Sequence, residues 1–362
     1  MDYNLIRRKT KKIKVGNLFI GCDAPVSVQS MLNTDGADAE ACILQAKRLE
    51  EAGCDIIRMS VPDISCVKTF FAMKNAGIKA PLVADIHFDF KLAIESAFAG
   101  ADKIRINPGN IGGDENVRQL VYACKKNNIP IRIGVNGGSL EKDILQKFGS
   151  PTPDALAESA LRHAALLEKF DFDDIVISIK SSSPFVMAKA CGKVAESCEY
   201  PLHIGVTEAG SGEEAIIKSS VGIGSLLLDG IGDTVRVSLT DDPVKEVKAA
   251  RIILSSLGLL EGGSVDVISC PTCGRTKIDL IPICESLKTR FAGLDTHGKN
   301  IKVAVMGCVV NGPGEAREAD VGIAGGDGCA VLISHGEIVG KIPEEKIADV
   351  LFDEVVKLID GR

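Results

Sequence analysis

The sequence predicts an α/β protein built as a (β/α)8 TIM barrel, followed by a small α+β domain. Two observations carry this. From residue 26 to about 240 a short β-rich run, a polar or glycine-containing loop and an amphipathic stretch recur in the same order, with strand-like and helix-like apolar spacing in turn. Past "LGLLEGGSVDVISC" the rhythm stops and cysteine motifs take over. Eight such units in about 230 residues suit a barrel, which takes roughly 250. An open doubly wound sheet would use fewer strands and a glycine-rich phosphate turn after the first. "VGIGSLLLDG" offers only a partial match and follows a helical segment.

In chain order the strand-like runs are "VSVQS" (26–30), "CDIIRMSVP" (54–62), "PLVADIHF" (81–88) and "ADKIRINPG" (101–109). Then come "PIRIGVNGG" (130–138), "DIVISIKSS" (174–182), "PLHIGVTEAG" (201–210) and "DTVRVSLT" (233–240). The segments between them, such as "DAEACILQAKRLEEAG" and "DALAESALRHAALLEKF", are apolar at i, i+3 and i+4 and open on acidic or capping residues. Gly262 and Gly263 mark a linker, so the expected division is 1–262 and 263–362. The second domain reads as "CPTCGR", the run "IKVAVMGCVVNGPGEAREADVGIAGG", a hairpin over "GCAVLISHGEIVGKI" and a terminal helix over "EEKIADVLFDEVVKLI".

Composition narrows the function. The 362 residues are 45% hydrophobic and 25% charged, with 37 glycines, as in a packed α/β protein. The net charge of −7 leaves no footprint for nucleic acid or an anionic membrane, so a bound anion must meet a local cluster of bases. The basic N-terminal stretch lacks the apolar segment of a secretory signal, and no run approaches the roughly 18 to 20 residues of a membrane span. The expectation is a cytoplasmic protein acting on a small molecule. Its twelve cysteines are then mostly reduced thiols, which argues against a disulfide at CPTC.

Polar residues interrupt the carboxyl halves of the strand-like runs: Arg58, Asp85, His87, Arg105, Asn107, Arg132, Asn136, Lys180, Glu208 and Arg236. A barrel explains them, because its functional groups gather at the mouth formed by the strand ends. Each alone reads equally well as a structural residue. Together, Arg58, Arg105, Arg132, Lys180 and Arg236 come from five strands, and like charges converge only around an anion. Arginine forks suit phosphate oxygens, which makes a phosphate or diphosphate ester the expected ligand. Asp85 and His87 lie two apart, on one strand face, and with Glu208 are the acid and base candidates.

Cys270 and Cys273 form a C-x2-C turn, and Cys308 follows a strand-like run. A zinc knuckle is the plain reading, but a second cysteine or histidine pair is missing from the sequence. A pair of thiolates plus a distant single one also suits an iron–sulfur cube with a non-cysteine corner. Glu315, behind the Gly312-Pro313-Gly314 bend, is positioned to be that corner, and a hard carboxylate on a thiolate cluster is weakly held. Cys42, Cys66, Cys124, Cys191 and Cys198 fall in helical segments and read as packing thiols.

The motifs "VQSMLNT", "RMSVP", "ADIHFD", "KIRINPGN", "RIGVNGGSL", "ISIKSS", "GVTEAG", "GIGSLLLDGIGDTVRVSLT", "CPTCGR" and "MGCVVNGPGEA" closely resemble the 4-hydroxy-3-methylbut-2-enyl diphosphate synthase family over nearly the whole chain. The resemblance implies a TIM barrel joined to a cluster domain similar to ferredoxin and sulfite-reductase modules. It implies a 4Fe-4S cluster held by Cys270, Cys273, Cys308 and Glu315, and electrons delivered by flavodoxin or ferredoxin. It also implies 2-C-methyl-D-erythritol 2,4-cyclodiphosphate as substrate, gripped by Arg58, Arg105, Arg132, Lys180 and Arg236 with Asn107, Asn136, His87, Ser238 and Glu208 nearby. A homodimer, with one chain's barrel capped by its partner's cluster domain, is implied as well.

Overall fold

The computed structural model describes residues 5–310 and 312–361. Asn311, which opens the NGPGEA segment, lies outside the described residues, as do residues 1–4 and 362. The chain divides into two compact units, Met1–Leu259 and Leu260–Arg362, the boundary falling just before Gly262 and Gly263.

The first unit opens with an antiparallel hairpin of β1 (Ile13–Val15) and β2 (Leu18–Ile20). Strands and helices then alternate: β3 (Ser27–Met31), α1 (Ala39–Glu51), β4 (Ile56–Ser60), α2 (Val67–Asn75), β5 (Leu82–Asp85), α3 (Phe90–Phe98), β6 (Lys103–Ile106) and α4 (Asp114–Asn127). The series continues through β7 (Ile131–Asn136), α5 (Lys142–Phe148), α6 (Pro153–Glu168), β8 (Ile175–Lys180), α7 (Pro184–Ser197), β9 (His203–Ile204), α8 (Gly212–Leu228), β10 (Thr234–Val235) and α9 (Pro243–Ser256). Caps follow the local chemistry: Asp38, Asp89, Thr152, Ser183 and Asp242 each accept a first-turn backbone N–H, three of them just ahead of a proline.

The eight strands β3 to β10 pair in parallel in the order β8-β7-β6-β5-β4-β3-β10-β9. A parallel bridge between Ile177 and Leu202 joins the two ends and closes the barrel. All eight sequence-predicted runs are its strands. The hairpin plugs the end where strands begin: Ile13, Val15 and Ile20 pack with Ile56, Val83 and Val176 in one buried apolar cluster. Solvent therefore enters from the carboxyl ends.

The second unit is a five-stranded sheet of β11 (Ser264–Ser269), β12 (Asn300–Met306), β13 (Val321–Gly326), β14 (Cys329–Ser334) and β15 (Glu337–Pro343), with α10 (Leu280–Phe291), α11 (Gly312–Arg317) and α12 (Ile347–Asp360). β11, β12 and β13 are parallel and the last two strands antiparallel. Alternation along β12 separates its faces. Ile301, Val303 and Val305 join the core under α10 and α12, whereas Ala304 and Met306 pack with Ala316 and Ala319 on the side of α11. The predicted hairpin turns through His335 and Gly336, both at positive φ (47° and 80°), as a tight two-residue connection requires.

Candidate active site

Register decides which side chains share the barrel interior. Paired residues of parallel strands point to the same face, and so does every second residue. Ser27 pairs with Thr234, Gln29 with Ile56, Arg58 with Val83, and Val83 with Lys103. Arg105 pairs with Arg132, Arg132 with Val176, and His203 with Thr234. One continuous face thus carries the apolar floor of Ile56, Val83 and Val176 at the plugged end, and Arg58, Asp85, Arg105, Lys180 and Arg236 nearer the open one.

There a cavity of about 640 Å³ is lined by Arg58, His87, Arg105, Asn136, Lys180, Glu208 and Arg236, with Ser139 and Thr207 among the neutral groups. Four basic groups from four strands therefore face one space, beside a single lining carboxylate; burial and the charges of Arg58, Arg132, Arg236 and Arg105 hold the Lys180 amine well below its usual range. Their aim is set by carboxylates that stay out of that lining. Asp85 is fully buried and takes Arg58 on Oδ2 and Arg105 Nη1 on Oδ1 at 3.1 Å, with His87 Nε2 3.4 Å away. Burial alone would raise its carboxyl, but Arg58, His87 and Arg105 outweigh it and hold it well below the usual carboxylate range. Arg105 finds room because β7 has glycine at 134, where a Cβ would lie 2.3 Å from its Nε. Arg236 is held by Glu246 of α9, 3.2 Å from its Nη2, and that carboxylate also takes Ser30 Oγ at 2.8 Å and Leu239 N at 3.0 Å.

The other predicted residues sit elsewhere. Arg132 is wholly buried beneath the cavity rather than lining it, and none of its three guanidinium nitrogens has a partner among the described residues. Burial and the charges of Arg58 and Arg105 hold its basicity well below the usual range, yet a guanidinium starts from so high a value that it keeps its proton. Asn107 is buried behind the wall, its Nδ2 donating to Ser139 Oγ at 3.0 Å. Ser238 is half-buried and outside the lining. Glu208 does line the cavity, at its exposed rim. Its backbone is left-handed at φ 53°, a strained state for a non-glycine residue that the surrounding fold must hold in place.

Three buried ionisable groups at the site escaped the sequence reading. Glu246 sits on a helix, where an acidic residue signals solvent, yet it is buried. Lys103 and His203 stand at the starts of their strands, below the expected mouth. Both are fully buried. Burial and the charges of Arg132 and Arg58 hold the Lys103 amine well below its usual range, and burial with Arg132, Lys180 and Lys103 does the same to His203. Period-two alternation from Arg105 back to Lys103 was the available signal.

In the second unit, Cys270 follows β11 directly and Cys308 lies just past β12, its parallel neighbour. Gly307 N donates to Cys270 Sγ at 3.2 Å. The CPTCGR turn is closed by Thr276, which accepts Cys273 N on Oγ1 at 3.1 Å, and is tied back by Lys277 N to Gly307 O at 2.8 Å. Gly307 must be glycine here, since a Cβ would meet Thr276 at 2.8 Å. The exposed Cys273 thiol is made more acidic by the backbone N–H of Arg275. Glu315 is exposed on α11, which packs against β12 and β13. The donor set fits a thiolate-held cluster in its chemistry: three thiols, two of them with backbone N–H support. Among the described residues, however, no three cysteine, histidine or carboxylate groups are gathered closely enough to hold a metal ion.

Comparison with known proteins decides the family. The family model described as the GcpE TIM-barrel domain matches residues 10–251, and that of the GcpE protein C-terminal domain matches residues 266–357. This chain belongs to the GcpE family. Its relatives include proteins named 4-hydroxy-3-methylbut-2-en-1-yl diphosphate synthase (flavodoxin). That of Clostridium perfringens is 54% identical over 98% of this chain and 99% of its own. That of Clostridium tetani is 55% identical over 96% and 99%, and that of Geobacter sulfurreducens 52% over 98% and 99%. Among solved structures, a type I 3-dehydroquinate dehydratase from Clostridium difficile superposes with a TM-score of 0.50 at 14% identity, covering 68% of this chain and 99% of that one. A dihydropteroate synthase from Thermus thermophilus does so with 0.50 at 13%, covering 69% and 99%. These two likenesses concern the barrel fold alone, and the GcpE assignment rests on the domains matched and on the near-full-length relatives.

Proposed function

We infer that this GcpE-family chain is an oxidoreductase of isoprenoid biosynthesis that forms 4-hydroxy-3-methylbut-2-en-1-yl diphosphate, with flavodoxin as electron donor. Its substrate is 2-C-methyl-D-erythritol 2,4-cyclodiphosphate. Ring opening and dehydration take up two electrons and two protons and release one water. The observation that carries this reading is the cavity itself: Arg58, Arg105, Lys180 and Arg236 converge on a space lined by one carboxylate, an arrangement suited to a doubly charged ligand whose paired oxygens meet guanidinium forks, such as a diphosphate.

Arg58 and Arg105 bind phosphoryl oxygens from the direction in which Asp85 braces them, and Arg236 does so from its Glu246 brace. Asn136, Ser139 and Thr207 supply neutral hydrogen bonds at the wall. Asn107 supports Ser139 from behind, and Ser238 lies near the end of the same strand as Arg236. Glu208 is the proton donor for the hydroxyl that leaves, with His87 as the competing acid; Asp85, expected from the sequence as a third candidate, is held ionised by Arg58 and Arg105 and has no proton to give. His87 lines the cavity next to Asp85, and the doubly braced Asp85 holds geometry. Cys270, Cys273, Cys308 and Glu315 would hold a 4Fe-4S cluster, which supplies one-electron transfer when bound. Assembly as a homodimer, in which one chain's cluster unit serves its partner's barrel, would bring the two halves of the site together.

The test is anaerobic turnover of the cyclic diphosphate with reduced flavodoxin, alongside iron and sulfide analysis of the protein. Product formation with roughly four iron and four sulfide per chain supports the reading. Stoichiometric zinc without sulfide, or no product from iron-replete protein, overturns it. Glu315→Ala is expected to change the visible spectrum of the protein, and Cys270→Ser to lower its iron content.

A further inference from the structure

Below the mouth, the inside of a (β/α)8 barrel is ordinarily filled with Val, Ile and Leu. In this barrel that depth holds Lys103, Arg132 and His203, each at most 2% exposed. Lys103 Nζ, the three nitrogens of the Arg132 guanidinium and His203 Nε2 have no hydrogen-bond partner among the described residues. His203 Nδ1 is engaged with Thr234 Oγ1 at 2.6 Å.

The charged and titratable groups on the inward face around Lys103 are Arg58 of β4, Asp85 of β5, Arg105 of its own strand, Arg132 of β7, Lys180 of β8 and His203 of β9. Only Asp85 is an anion, and both its oxygens are taken by Arg58 and Arg105. Glu246, the other buried carboxylate on this side of the barrel, is committed to Arg236. An ammonium at Lys103 would therefore be a buried cation among like charges with no counter-ion, which its environment disfavours strongly. A dianion seated among Arg58, Arg105, Lys180 and Arg236 offsets most of that repulsion, because it adds two negative charges to a region whose only nearby carboxylate is spent.

We propose that Lys103 is the charge-balancing residue of the diphosphate site: it is a neutral amine in the free protein and takes a proton from solvent when the dianionic substrate settles above it. No bond of the substrate changes in this step. The inference rests on the substrate class given under Proposed function. It makes Lys103 a positioning residue, acting on the substrate through the field inside the barrel and not by contact.

The test is titration calorimetry of the cyclic diphosphate into anaerobic holoprotein without electron donor, in buffers of different ionisation enthalpy between pH 7 and 9. The two phosphoryl oxyanions of this ligand stay ionised throughout that range, so any proton counted belongs to the protein. In the wild type the expected uptake is about half to one proton per site, with affinity falling up to about tenfold per pH unit across the window. In Lys103→Met the uptake disappears and the pH profile flattens while binding heat persists. Uptake of unchanged size in Lys103→Met would assign the proton to Lys180 or another group and overturn the proposal. So would binding without uptake in the wild type, a measurement that needs no variant to fold. Absence of any binding overturns the substrate assignment together with this inference, whereas binding without uptake overturns this inference alone.

Discussion

Asp85 shows how much of this site depends on a residue that stays out of the cavity lining. Its carboxylate orients Arg58 and Arg105 together, so Asp85→Asn leaves two guanidinium groups buried without their shared negative charge and with one acceptor oxygen between them. Removing one partner of a buried pair costs about 3–5 kcal/mol, and denaturant unfolding of the variant should read a loss of that order along with a raised KM. The pH dependence has a definite sign. The folded-state carboxyl lies well below its ordinary value, so its contribution to stability is present above the unfolded value, near 4, and fades as pH falls through the folded one. Wild-type stability should therefore drop below about pH 4, and Asp85→Asn should show a shallower acid limb. Glu208 offers a second test at this scale. Glu208→Gln should lower kcat by about 10² to 10⁴ with little change in KM if it donates the proton. Near-normal kcat would remove it from that role. Glu208→Gly, by relieving the left-handed backbone, should gain about 1 kcal/mol of stability while losing the same activity, which separates strain from chemistry.

At the scale of elements, the barrel places cations by leaving space as much as by supplying side chains. β7 gives up its inward side chain at Gly134 so that the Arg105 guanidinium can lie across it. Gly134→Ala is expected to push Arg105 off Asp85, raising KM for the cyclic diphosphate about tenfold and costing about 1–3 kcal/mol of stability as an overpacked site. Unchanged kinetics and unchanged melting would show that Arg105 has room to spare. α9 contributes through Glu246, which bridges Arg236, Ser30 and the backbone of Leu239. In the second unit the comparable device is Gly307, which lets the CPTCGR turn close against the end of β12 and brings a backbone N–H to the Cys270 sulfur.

For the whole molecule, each unit owns a core. The barrel is floored by the hairpin cluster around Ile13 and Ile20, and the second unit is built on Val303, Val305, Leu287 and Leu351. Units with separate cores unfold separately unless a large apolar interface couples them. Scanning calorimetry of the metal-free protein should accordingly resolve two transitions, and Leu287→Ala should lower only one of them, by an amount matching about 2–5 kcal/mol. A single transition shifted as a whole by that substitution would mean that the units unfold as one. No helix in the described residues is long and apolar enough to cross a membrane, so the exposed apolar residues on the barrel's outer helices, such as Phe98 and Tyr122, are not part of a helical membrane span.

The eight strands were legible because a buried parallel strand is a short apolar run bounded by turn residues, and that pattern needs no knowledge of neighbours. Arg58, Arg105, Lys180 and Arg236 were legible for a related reason, since charge inside an apolar run is conspicuous. Sequence alone therefore determined the fold class, the set of basic residues at the strand ends and the C-x2-C pair with its third cysteine after a strand-like run. Only the closed barrel decided which cations face the cavity and which lie under it. Register around eight strands put Arg132 and Lys103 below the lining, brought Asp85 between two arginines from different strands, and turned a helical glutamate at 246 inward. Those outcomes depend on pairings between residues far apart in the chain, and spacing along one strand carries no trace of what the neighbouring strand presents beside it.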